Sequence, residues 1–386
     1  MLINQIVRFI TSLRLTVVLL SLAILLVFFG TLAQVNEGLY NAQHRWFHSF
    51  FVWWSPAGAG WKIPFMPGGY FVGTALLVNL IAAHIQRFHL TWKKLGIHLA
   101  HAGIILLLVG QLTTDMFSRE TTMNFAEGET RNYSVSPAVV ELVFVSDAGK
   151  EEEVVSIPQS LLVKRGEIKS EKLPFTIRVQ NYYLNADIRQ RAPMMDKGAP
   201  PATAGLGPKV TLIPRPEVKT TEERNTPAVI FELAGPQGSL GTWVTHPAMN
   251  EQELTVNDKT WRLGLRFERH YHPFSVQLLK TTHEVYRGTD IPKNFQSRVR
   301  IENPGKHESR EVDIYMNNPL RYEGLTFYQY QMGRDEVNEN RGTSALQVVR
   351  NPGWLTPYLG CALVAAGLVT QFLMHLVGFI KKRRTA

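Results

Sequence analysis

At 386 residues the chain is long enough for two or three domains, and 41 Lys and Arg against 32 Asp and Glu give a formal net charge of +9. The basic excess does not read as a nucleic-acid surface, because no basic stripe interleaved with aromatics occurs in the polar part of the chain. A single cysteine, Cys361, excludes an internal disulfide framework and a CxxC redox motif.

Four apolar blocks come first to the eye, at about 13–33, 69–86, 95–111 and 355–380. A spanning helix needs roughly 17–25 apolar residues, a length the first and fourth blocks reach comfortably and the other two only just. The first is read as a retained span rather than a signal peptide ending near Thr31-Leu-Ala33, because its apolar core is long for that role. Arg8 and Arg14, then Arg87, Lys93 and Lys94, then Lys381, Lys382, Arg383 and Arg384 all fall on one side if four helices alternate. The positive-inside rule makes that side cytoplasmic. Both termini are then cytoplasmic, in a multi-pass protein of a bacterial inner membrane whose large polar region is extracytoplasmic.

Residues 34–67 form an aromatic-rich outer loop in which Trp46, Phe50 and Trp53 share a helical spacing. That spacing predicts an amphipathic helix at the membrane surface, most simply an aromatic belt. His44 and His48, four apart on it, are placed to serve a flat hydrophobic ligand. From 113 to 350 the chain alternates like strands, as in Ala138-VVELVFV, Phe175-TIRVQNYYL, Ala228-VIFEL, Trp261-RLGLRFER and Leu325-TFYQYQM. An antiparallel sandwich or barrel-like sheet is expected, with a long exposed loop at about 192–225.

The fold expected is a polytopic α-helical membrane protein with four transmembrane helices and a large β-rich extracytoplasmic domain inserted between helices 3 and 4. Its parts are a three-helix membrane region 1–112, a β-rich domain 113–350, and a fourth helix with a basic tail at 351–386.

Chemistry concentrates in the histidines of the apolar blocks, since an imidazole in hydrocarbon is expensive and marks a functional site. His84, His101 and His375 lie roughly 5–9 Å inside their spans at about 1.5 Å per residue, all towards the basic side. His98 shares a helical face with His101. Two imidazoles three apart on one helix cannot take opposite axial positions of one haem, so a bis-imidazole site needs a second helix. Zinc fits less well, because no carboxylate or thiol lies at this level. In the polar region, His270 and His272 share a strand face as a possible metal pair, or as edge-strand decoration. No phosphate loop, G-x-S-x-G or H-E-x-x-H occurs, and no catalytic residue is assigned.

Three stretches carry a family resemblance: His101-AGIILLLVGQLTTD, Phe125-AEGET-RNYS and Val312-DIYMNNPLRYEGLTFYQYQ. With them the chain resembles the ResB/CcsB family, a membrane subunit of System II cytochrome c biogenesis. The resemblance implies a haem-handling subunit of the cytochrome c synthetase, or haem lyase, that helps move haem b across the membrane. Implied partners are a CcsA/ResC-type membrane subunit, apocytochrome c with its CxxCH motif, and a thioredoxin-like thiol reductant. The family's transmembrane haem ligand falls on His101, with His98 as the near alternative; His84 completes the candidate haem-binding set. The tryptophan-rich haem-presenting motif belongs to the partner, and Trp53-Trp54 is not that motif, so a non-catalytic or co-catalytic subunit is expected. Two other readings are a membrane b-type cytochrome in electron transfer, and a non-redox scaffold or receptor.

Overall fold

The computed structural model describes residues 2–55, 61–86, 91–147, 152–192, 196, 198–218, 224–288, 292–335 and 341–385. Arg87, part of the expected basic tether, lies outside them. The helices are α1 (Leu2–Ile10), α2 (Leu13–Ala42), α3 (Gly69–Gln86), α4 (Leu95–Phe117), α5 (Gln159–Lys164) and α6 (Thr356–Thr385). Among the described residues four helices, α2, α3, α4 and α6, are long and apolar enough to cross a membrane. The chain separates into a helical unit, mainly residues 1–119 and 350–386, and a β unit of residues 120–218 and 222–349.

The first apolar run is helical because it carries neither charge nor proline between Arg14 and Glu37, so each backbone group is satisfied inside the segment. It continues well past residue 33 and breaks at Gly38, whose φ of 76° only glycine adopts without cost. The aromatic loop departs from expectation. A π turn, Gln43–Phe47, is followed by a two-stranded antiparallel hairpin of Phe51–Trp54 and Ile63–Pro67, so no amphipathic helix joins Trp46 to Trp53. The physical reason is packing: Trp46 is buried with Leu26, Ala42 and Val52 and stacks on Phe29, while the β-branched and aromatic run Phe51-Val-Trp-Trp pairs as a strand.

In the β unit, a ten-stranded sheet is built around two long neighbours, Thr130–Asp147 and Lys259–Val285, which pair antiparallel. Their register shifts between Phe267 and Arg269 and again between Tyr271 and Val276, which lets each long strand bend and serve two cores. The first core places Phe144, Trp261 and Leu263 of this sheet against Ile177, Phe231 and Leu233 of a separate four-stranded sheet. A second core gathers Phe274, Val276, Ile301, Phe327 and Leu346, all from the large sheet curling on itself. A sandwich is therefore joined to a half-rolled sheet. The stretch expected as a loop at 192–225 contains a strand, Val210–Pro214, paired with Ala186–Gln190. Arg189 clamps it with a bidentate pair of hydrogen bonds to Asp196 at 2.9 and 2.7 Å.

The Met316–Pro319 segment makes the turn its residues suggest. Asn317 is left-handed at φ 62°, and the Asn318 N–H donates to the Tyr315 carbonyl at 3.0 Å.

Candidate functional site

α4 has two faces with different tasks. At about 100° per residue, Gly96, Gly103 and Gly110 align on one side and His98 and His101 on the other. All three glycines are buried. A Cβ on Gly96 would lie 2.6 Å from the Gly367 carbonyl oxygen of α6, and one on Gly103 would lie 2.7 Å from that of Gly360. The reverse holds from α6, where a Cβ on Gly367 would meet the Ala100 nitrogen at 2.5 Å. Seven-residue glycine spacing on both helices thus brings the two backbones into contact, the usual way for helices to associate where lipid removes the hydrophobic drive.

With its glycine face committed to α6, α4 turns its imidazoles towards α3. The His84 ring centroid lies 5.0 Å from that of His98 and 5.8 Å from that of His101, both edge-on, with planes at 84° and 90°. These rings line a cavity of about 330 Å³ together with Ala83, Lys94 and Ile97. Its far wall is Asn79, only 2% exposed, which accepts a hydrogen bond from the Thr16 hydroxyl at 2.7 Å and donates to the Ile10 carbonyl at 2.5 Å. Asn79 ties α3 to the start of α2 and the end of α1, fixing the helix that presents His84. Nothing in the sequence marked it beyond being a polar residue inside an apolar block.

All three candidate haem residues are therefore brought together. His375 is not among them: it faces outward, and its Nε2 lies 2.8 Å from the Gln371 amide one turn earlier on α6. His44 and His48 lie at the opposite end of α3, in edge contact at 5.3 Å. The pair His270 and His272 sits on the long strand Lys259–Val285, where His270 pairs with Ser134 on one side and the pairing on the other side begins only at Ser275. His272 hydrogen-bonds the Ser134 hydroxyl at 3.0 Å and stacks on Phe274, while His270 faces Glu268 at 3.7 Å, so each imidazole has a structural partner. Burial, helped by the neighbouring His270, pushes the His272 imidazole down from its ordinary pKa.

The donor set can be tested against a metal. Among the described residues no group of three or more His, Cys, Asp or Glu side chains is placed to hold a bare ion. Imidazoles from two facing helices, with no carboxylate or thiol beside them, suit an iron that brings its own four equatorial nitrogens better than an ion needing a protein-made shell.

Residues 229–342 match the model of the ResB-like family. This range contains the Val312–Gln331 block; the His101 and Phe125 stretches precede it. Protein NrfI of Wolinella succinogenes is 34% identical over 116 residues, which are 28% of this chain and 12% of that protein. The chain thus matches only about an eighth of the length of that curated relative. Both similarities support the ResB/CcsB resemblance carried by the sequence, with residues 229–342 as a ResB-like segment.

Proposed function

We propose that the chain acts in c-type cytochrome biogenesis as the haem-handling subunit of a cytochrome c synthetase. The observation that carries the proposal is the convergence of His84, His98 and His101 from facing helices in one cavity of a ResB-like chain. Haem, when bound, would supply an iron that accepts imidazole nitrogen. His101 would hold it from α4, a helix fixed by the glycine contact behind it. His84 is the residue of this chain that reaches the same cavity from a second helix, and His98 neighbours both. Lys94, on the cavity rim, is positioned to neutralise a carboxylate such as a propionate. With the basic clusters at the same end of the helices, the positive-inside rule puts this site on the cytoplasmic side of the bacterial inner membrane, where haem enters.

On this reading the β unit is the extracytoplasmic docking surface for apocytochrome c or for a CcsA/ResC-type subunit, and a thioredoxin-like reductant keeps the CxxCH thiols reduced. Covalent attachment belongs to the partner.

The test is the absorption spectrum of the detergent-purified protein, alone and with a co-expressed CcsA/ResC-type subunit. Wild type should show a reduced bis-imidazole spectrum that is lost in His101→Ala at unchanged protein yield. Loss in His84→Ala as well would place both ligands in this chain, whereas retention there would assign the second ligand to the partner. A haem-free wild type with its partner, or an unchanged His101→Ala spectrum, would overturn the proposal.

A further inference from the structure

At the other end of the same helix pair, about 20 Å from His84 at 1.5 Å per residue, a second group of polar side chains converges. Tyr70 stands in the first turn of α3, Asp115 in the last turn of α4, and His48 directly after the π turn. Asp115 is the one acid of α4, and an ionisable group in a membrane-length helix is expected to do something there.

The Tyr70 hydroxyl donates to Oδ2 of Asp115 at 2.5 Å, and the His48 ring lies parallel to the Tyr70 ring, with centroids 5.7 Å apart and planes at 13°. The Nε2 of His48 is 3.9 Å from Oδ1 of Asp115. That is too long for a hydrogen bond, yet an oxygen atom fits between them at about 2.8 Å from each. A hydroxyl in that position accepts from the imidazole and donates to the carboxylate. These groups open on a cavity of about 280 Å³ lined also by Phe47, Leu77, Leu108 and Leu112, with Thr74 and Gln111 as further polar side chains. A mostly apolar cavity with a few convergent polar groups is the usual form of a small-molecule site.

We propose that this cavity binds the hydroxyl-bearing ring of a lipid-soluble hydroquinone, one hydroxyl bridging Asp115 and His48 and the ring lying among the apolar side chains. Three features favour a ring over a headgroup polyol: the parallel His48 and Tyr70 planes, the leucine and phenylalanine side chains that make up much of the lining, and the membrane-length helices that flank it. The proposal concerns binding only and stands independently of haem at the histidine cluster.

Gly73 lines the same cavity, and a Cβ added there meets nothing within 4 Å, so Gly73→Leu fills the space without touching the Tyr70–Asp115 bond. The full-length protein in detergent would be titrated with decyl-hydroquinone and with its dimethyl ether, in wild type, Gly73→Leu and Asp115→Asn. Saturable binding of the hydroquinone is expected, at least tenfold weaker for the ether and at least tenfold weaker in either variant. If Asp115→Asn does not fold, the ether and Gly73→Leu decide alone. Equal affinity for both probes, or undiminished binding in Gly73→Leu, would overturn the proposal and leave the cluster as a polar staple between helix ends.

Discussion

In the helical unit α4 and α6 are held together by what their contact residues lack, whereas the β unit is held by what its side chains fill. Glycine at 96, 103, 360 and 367 lets two backbones touch, with Leu107, Val364 and Gln371 closing against the glycines. Phe144, Trp261, Phe231 and Phe327 do the opposite, each less than 2% exposed inside a core walled by sheets. The two strategies follow from the solvent. Helices of membrane length and composition suit lipid, which gives apolar side chains no reason to leave it, so that close backbone contact and dispersion must suffice there. Water expels them, at about 25 cal/mol for each Å² buried. Substitutions should therefore fail in opposite directions, by added bulk in one unit and by lost bulk or charge in the other.

The largest effect is expected from Gly103→Leu or Gly367→Leu. Here a side chain would have to occupy backbone positions of the partner helix, which cannot shift as a flexible side-chain tip would. Loss of monodisperse protein on size-exclusion chromatography is expected, while a wild-type elution and melting profile would break the comparison. Next comes Glu141, whose carboxylate takes hydrogen bonds from Arg266 at 2.7 Å and from Ser156 at 2.5 Å with only 9% of its side chain exposed. Glu141→Ala strands the Arg266 charge and should cost about 3–5 kcal/mol in denaturant unfolding of the β unit. The exposed pair Arg215–Asp187 is the control, and its removal should change stability by about 1 kcal/mol or less.

The smallest effect concerns pH. His246 is 4% exposed; its Nδ1 accepts from the Ala248 N–H at 3.1 Å, which leaves Nε2 to donate to the Ala186 carbonyl at 3.0 Å. Both nitrogens are used by the neutral ring, and burial lowers its pKa despite the opposing pull of the Ala186 carbonyl and Asp187. Because the unfolded chain takes up a proton near pH 6.5 and the folded one only lower, stability is present above that value and is lost as pH falls through it. The melting temperature of the β unit should decline from pH 7 to pH 5, and less steeply in His246→Gln. An identical slope in the variant would assign the decline to other groups.

Much of this could be read from residues alone where the information is local. The charge-free runs ending in basic clusters mark helices long enough to span, and the alternation in Ala138-VVELVFV and Ala228-VIFEL marks strands. The i, i+3 spacing already puts His98 and His101 on one face. The aromatic loop misled because Trp46, Phe50 and Trp53 fit a helical period equally well whether or not Trp46 is pulled down onto Phe29. His84 and His375 looked equivalent by depth, yet only one meets the α4 imidazoles. Tyr70 and Asp115 are 45 positions apart, and nothing local to either announces the other.

The sequence by itself determined the four long helices and most of the strands, which side chains can ligate or titrate, and the ResB-like character of residues 229–342. Those properties depend on neighbours within a few positions, where backbone sterics and solvent preference act. Only the tertiary structure decided which glycines meet, and therefore which way α4 turns. Rotation about a helix axis is set by its packing partners, not by its own residues. That rotation brings His84 to His98 and His101 at one end and Tyr70 to Asp115 at the other.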